Sequence, residues 1–328
     1  MDGATEDKGR PRLTPVPRTA GWKPIGEHLP QQLKSPIRPQ RRLLAPVGQE
    51  RDEGIVFQHS VLCHTALPYR DPGAQVRRWQ ARNGYLSLEV EAGRVFDGRR
   101  GEFLDVGLPF GPKPRLVLCH LNAEALRTGS PLIDLEDTLT AFVRRTLQLD
   151  PHGRNIGAVR EQLTRLAACD FRMGRSDTDH SVTVQGHILS GLKLWTPQAA
   201  HERTLWPTQV QFSQEYFQSL SEHAVPLNEV AVSRLAHSAM GLDLYAWLAQ
   251  RLHRIERARP SQVSWMSLAQ QFGSGYTQLR DFRRVFKRTL AQVKALYPDA
   301  NFTLESQGMC LAHSRPPVAR RLVVVHGR

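Results

Sequence analysis

Cysteine is scarce in this chain: 4 in 328 residues, at Cys63, Cys119, Cys169 and Cys310. Spaced so widely, they offer neither the framework of a disulfide-stapled domain nor a CxxC metal knuckle, and a reducing compartment is the simpler expectation. Long apolar runs are missing too. No stretch approaches the roughly 18 residues that a membrane span requires, and 40% hydrophobic residues with a mean hydropathy of -0.41 read as a soluble globular protein with no membrane partner. The opening residues, MDGATEDKGRPRL, carry acids and prolines where a secretory signal has a basic and then an apolar stretch. A cytoplasmic location is expected.

Catalytic signatures are equally thin. The sequence has no G-x-x-x-x-G-K-[ST] loop, no G-x-S-x-G elbow, no H-E-x-x-H helix and no His-x-His pair. Cys63-His64 and Cys119-His120 would make a metal site only if brought together, and buried cysteine is more often a small apolar filler. Asp134, Glu136 and Asp137 read as helix-start residues. No catalytic residue, cofactor or metal is therefore assigned, and the chain is expected not to be an enzyme.

Acidic residues are few where basic ones are many. The net charge is +13, and residues 1–54 hold 10 basic and 7 acidic side chains (+3), residues 55–227 hold 19 and 18 (+1), and residues 228–328 hold 15 and 6 (+9). An excess gathered in one region is the footprint of a partner rich in phosphate.

The chain divides accordingly. Residues 1–54 contain 8 prolines and no apolar period, which predicts a disordered arm. Residues 55–227 are expected to form an N-terminal winged-helix-like domain with extra strands, 228–314 a C-terminal winged-helix domain, and 315–328 a basic tail that suits either backbone contact or a solvated end. In the first domain, Tyr85 to Glu91 alternates as a half-buried strand, Leu116 to Arg127 is helical and closed by Gly129, and Pro131 to Asp134 is a short strand. A helix carrying Leu139, Phe142, Val143 and Leu147 follows, then one capped at Asn155, then a hairpin from Cys169 to Met173 and Ser181 to Trp195. The second domain repeats that order. Leu242, Tyr245, Leu248, Leu252 and Ile255 form one buried helical stripe; Val263 supplies a short strand; Ser264 caps a helix that stops at Gly273; and a longer helix spans Tyr276 to Leu296 before a hairpin around Gln307-Gly308. Helix, short strand, helix, tight turn, helix and hairpin is the order of a winged helix-turn-helix. The expected fold class is α+β: tandem winged-helix domains behind the arm.

In the Tyr276 to Leu296 helix, Leu279, Phe282, Phe286, Leu290 and Val293 fall in one apolar stripe, while Thr277, Arg280, Arg284, Lys287 and Arg288 gather opposite, with Arg283 near the seam. Such a helix suits a DNA groove. Thr277 and Arg280, near its start, are candidates for base edges, Arg284, Lys287 and Arg288 for phosphates, and Arg283 for DNA contact from the seam. In the first domain Asn155, Arg160 and Arg165 are the corresponding candidates.

Several ordered segments carry a resemblance: Val225-Pro226-Leu227, Gly241 to Leu248, Val263-Ser264-Trp265, Gln271 to Tyr276, Leu279 to Arg284 and Tyr297-Pro298-Asp299-Ala300. Together they resemble the plasmid-encoded RepA replication initiator family, over roughly Phe110 to Pro317 and most strongly after Val225. The resemblance implies a bacterial plasmid replication initiator that binds repeated double-stranded origin DNA, helps open it, and brings the host initiator and replicative helicase to the site. It also implies two winged-helix domains and a balance between monomer and homodimer. A winged-helix transcriptional regulator is the alternative, since fold alone does not fix function.

Overall fold

A computed structural model of the chain describes residues 54–98, 100–176, 181–192 and 209–318. Residues 1–53 of the expected N-terminal arm and residues 319–328 of the basic tail lie outside them. All described residues fall within one compact unit, Leu44–Arg328.

The described chain opens with β1 (Ile55–His59) and α1 (Ser60–His64), then β2 (Arg78–Asn83), β3 (Leu86–Glu91), β4 (Arg94–Asp97) and β5 (Glu102–Asp105). Next come α2 (Pro112–Thr128), β6 (Leu132–Asp134), α3 (Leu139–Ala141) running into one π turn (Phe142–Thr146), α4 (Gly153–Ala168), β7 (Asp170–Ser176), β8 (Ser181–His187), β9 (Leu189–Leu192) and β10 (Gln209–Phe212). A bridge of α5 (Gln214–His223), β11 (Ala224–Asn228) and α6 (Glu229–Arg234) leads to α7 (Ala239–Arg251), β12 (Ser261–Ser264), α8 (Trp265–Phe272), α9 (Leu279–Leu296), β13 (Phe302–Leu304) and β14 (Gly308–Leu311).

Local chemistry explains many of these boundaries. Pro112 starts α2, where its missing N–H costs nothing, and Gly129 stops it in the left-handed region at φ 67. Asn228, Ser238 and Ser264 cap α6, α7 and α8 by accepting from the backbone N–H three residues on. The cap expected at Asn155 is a correction: α4 begins two residues earlier, His152 accepts from the Asn155 N–H, and the Asn155 side chain donates to Asp150 O at 2.8 Å.

Two three-stranded sheets share one plan. In the C-terminal one the order is β12-β14-β13, and in the N-terminal one β6-β10-β9. In each, the short strand that follows the first helix pairs with the last strand, which in turn pairs with the one before it. The repeat expected from element order is therefore present in sheet topology, with a different N-terminal hairpin from the one expected. β7 and β8 pair with each other but join β2 and β3 in a four-stranded sheet, order β2-β3-β7-β8. Their alternation is satisfied by that sheet, where Leu88, Val90, Phe171 and Met173 are buried.

The boundary expected between residues 227 and 228 falls inside an antiparallel ribbon, in which β1 pairs with β11 from Ile55↔Asn228 to His59↔Ala224. One hydrophobic cluster runs through both halves. At its centre lies α7, expected to bury a single stripe but buried at every position from Ala239 to Gln250.

An ion pair lies in that core. From α2, Arg115 donates Nε to Asp243 Oδ1 at 2.7 Å and Nη2 to Asp243 Oδ2 at 2.8 Å; the same guanidinium donates to Gly111 O at 2.7 Å and Leu67 O at 2.8 Å. Burial opposes the Arg115 charge, but the Asp243 carboxylate and its hydrogen bonds outweigh it and raise the arginine's pKa. Burial pushes the Asp243 carboxyl up, against the pull of Arg115.

Asp243→Asn leaves a buried guanidinium without its counter-charge and should lower unfolding stability by about 3 to 5 kcal/mol, while a matched apolar replacement of both partners should recover most of it; urea unfolding measures this. Burial also holds His59, His64 and His120 neutral, lowering them from 6.5 to about 3, 4 and 4. Their depressed folded values mean that the unfolded chain takes up protons the folded chain refuses. Stability should be full above about pH 6.5 and fall by roughly 4 kcal/mol per pH unit towards pH 4 as all three contribute. A Tm that stays level over that range would contradict this.

Candidate nucleic-acid interface

The α8 to α9 connection sets the angle of the candidate helix. α8 ends at Gly273, Tyr276 N–H bonds Gly273 O at 3.0 Å, and Gly275 takes φ +87, a conformation that side chains other than glycine rarely adopt. The turn runs through Gln278, so α9 starts three residues later than expected and Thr277 lies before it, exposed. Phe282, Phe286, Leu290 and Val293 are buried as expected. Leu279 is not: at 38% exposure it leaves the apolar stripe. It is the first residue of α9, where a side chain leaning towards the N-terminus projects past the core beneath the following turns.

Around the outer arc of α9, Arg280, Arg284, Lys287 and Arg288 are exposed. Asp281 sits 3.6 Å from Arg284, an exposed contact of little energetic worth. Arg283 lies at the seam, stacked over the Trp265 ring at 4.6 Å and donating to Ser306 O at 3.3 Å; Lys287 lies over the same ring at 5.7 Å.

Trp265 is the residue that sequence reasoning missed as a positioning group. Its ring packs edge-on to Phe286 at 5.7 Å, its Nε1 donates to Glu305 O at 3.2 Å, and its backbone N–H donates to Gln307 O at 3.0 Å. One side chain thus joins α8, α9 and the β13–β14 turn. The available signal was an aromatic beside the capping Ser264, with arginine and lysine four residues apart on the next helix. Gly308 completes the junction, since a Cβ there would meet Val263 O at 2.1 Å.

The N-terminal candidates behave differently. Arg160 is exposed on α4 and Asn155 is partly buried. Arg165 is held by the fold: it donates to Leu108 O at 2.9 Å and Glu161 at 2.6 Å, lies over the Phe110 ring at 5.0 Å, and its side chain is only 14% exposed. Its guanidinium anchors the segment before α2 to α4 and has no open face to offer a groove.

The cysteine and histidine pairs are also placed. Burial pushes the Cys63 thiol well above its usual range and the Cys119 thiol up to about 12, so both stay protonated. His64 is engaged with Gln250 at 2.7 Å. Among the described residues no group of three His, Cys, Asp or Glu side chains is arranged to hold a metal ion. Nor is any helix there long and apolar enough to cross a membrane.

Residues 108–267 match the sequence model of the family described as plasmid encoded RepA protein. The match covers just under half of the chain. The RepA match takes in the whole N-terminal helix and sheet plan, the α5 to α6 bridge, α7 and the start of α8. The similar segments from Gln271 to Ala300, including α9, lie beyond it. Among curated proteins none matches the sequence. Two crystal structures of RctB domains 2 and 3 are similar in outline: one, a selenomethionine derivative, at 12% identity over 71% of this chain and 82% of that one, with a TM-score of 0.46. The other has 10% identity over 76% and 94%, with a TM-score of 0.44. Likenesses of that size fix neither a shared fold nor a shared function.

Replacing Trp265 with Phe keeps an aromatic ring but removes the bond to Glu305 O and weakens the stacking with Arg283. It should lower stability by about 1 to 3 kcal/mol, with the β13–β14 hairpin losing amide-exchange protection more than α2 does.

Proposed function

We propose that the chain is a non-enzymatic initiator of plasmid replication that binds origin DNA sequence-specifically through α9. The carrying observation is the α9 outer arc: Arg280, Arg284, Lys287 and Arg288 exposed together, on a helix entered through the Gly275 turn and locked to a hairpin by Trp265. The RepA-family match supports the replication role. On this reading both helix and sheet plans are winged helices, with α9 and α4 as their groove-facing helices and the β13–β14 and β9–β10 hairpins as their wings.

Thr277 and Arg280 stand where the start of a recognition helix meets base edges, and an arginine there binds guanine O6 and N7 together. Arg284, Lys287 and Arg288 neutralise phosphates. Arg283 acts through Trp265, holding α9 to the wing. Arg160 and Asn155 supply a weaker second contact from α4, and Arg165 positions that helix. Contact with repeated duplex sites, recruitment of the host initiator and helicase, and homodimer formation belong to the same reading.

Arg280→Ala should cost about 1 to 3 kcal/mol on the specific site and relax its sequence preference, whereas Lys287→Ala should weaken binding to all duplexes alike and reduce the salt slope by about one unit. Unchanged site affinity in Arg280→Ala would remove α9 from the recognition role. Initiation is separated from promoter regulation by a plasmid test: the reading frame with its flanking DNA should sustain an otherwise non-replicating plasmid, and failure in several bacterial hosts would favour the regulator.

A further inference from the structure

The outer arc of α9 is bounded on one side by Trp265. On its other side lies a cavity of about 390 Å³, walled by Arg70 from the segment after α1, His237 and the first turn of α7, the Ser274 to Tyr276 turn, and Arg288 on α9. None of its lining residues is Asp or Glu. Neither Arg70 nor Arg288 is ion-paired among the described residues. Two arginines from segments over two hundred positions apart therefore line one concavity with no counter-charge in its walls. Ser274 and Tyr276 line the same wall without adding charge.

We propose that this cavity is a phosphate-binding site, with Arg70 and Arg288 as its charged ligands. A tetrahedral oxyanion suits the walls: guanidinium forks bind phosphate oxygens in pairs, and backbone N–H groups at the α7 N-terminus add a favourable dipole. The phosphate has two sources. A phosphodiester of bound DNA would deepen the DNA-binding reading, on which that source depends, by adding a contact outside α9; a free phosphate or nucleotide does not depend on it.

The full chain and its Arg70→Ala and Arg288→Ala variants distinguish these by calorimetry with inorganic pyrophosphate and by binding to a duplex selected from a random pool, measured across salt concentration. Arg70 is exposed, so its replacement leaves the core intact. If the phosphate is DNA's, Arg70→Ala lowers the salt slope by about one unit and weakens all duplexes similarly. If it is free, pyrophosphate binding falls at least tenfold in both variants while the duplex salt slope of Arg70→Ala stays at the wild-type value. Wild-type chain that binds no duplex but holds pyrophosphate through Arg70 would overturn the DNA reading and uphold the site. Pyrophosphate binding and salt slope both unaltered by Arg70→Ala would overturn the site.

Discussion

The Arg115–Asp243 ion pair is the constraint on which the rest of the architecture turns. Arg115 sits on α2 and Asp243 on α7, the first helices of the two repeated plans, and both are removed from water. A buried pair of this kind adds little net stability, because desolvation cancels most of the attraction, yet any arrangement that parts the charges is heavily penalised. Its effect is selective. Two carboxylate bonds and two carbonyl bonds to one planar guanidinium leave α2, α7 and the Leu67 to Gly111 segments a single relative placement.

From α7 the constraint passes outward. That helix is buried on every side, and Trp247 packs edge-on to Phe272 of α8 at 5.3 Å, which in turn lies 6.0 Å from Phe286 of α9. An aromatic chain through Phe282 and Trp265 then sets the tilt of α9 and the height of the β13–β14 hairpin. Cations stay at the surface because every apolar position facing this chain is filled. The exposed arc of α9 is thus a product of the core beneath it.

Much of this was legible in the sequence wherever local chemistry decides. Caps at Asn228 and Ser264, the stop at Gly129, the strand before Ala92 and the buried phenylalanines of α9 all follow from short-range rules. What escaped is nonlocal. Alternation marks β7 and β8 as strands but does not name their partners, so their membership of the β2-β3 sheet was hidden, as was the pairing of β1 with β11. Periodicity gave α7 one apolar face because Asp243 and Gln250 read as solvent-facing; each is buried by a partner far along the chain, Arg115 and His64. Likewise Arg165 reads as a surface cation until Leu108, Phe110 and Glu161 close round it.

The repeated sheet order, absent from any sequence repeat, places α4 and α9 at equivalent steps of two plans, but their surfaces differ. α9 carries four exposed cations in one arc, while α4 spends Arg165 on its own fold and keeps Glu161 beside it. The proposed recognition surface accordingly lies at the C-terminal end of the described chain, where the basic excess of the sequence also lies. The most direct test is the ratio of affinities for duplexes tiled across the DNA that flanks this reading frame and for the same duplexes scrambled, both at physiological salt. The account predicts a preference of about a thousandfold or more for at least one native duplex; equal affinity for every native and scrambled pair would contradict it.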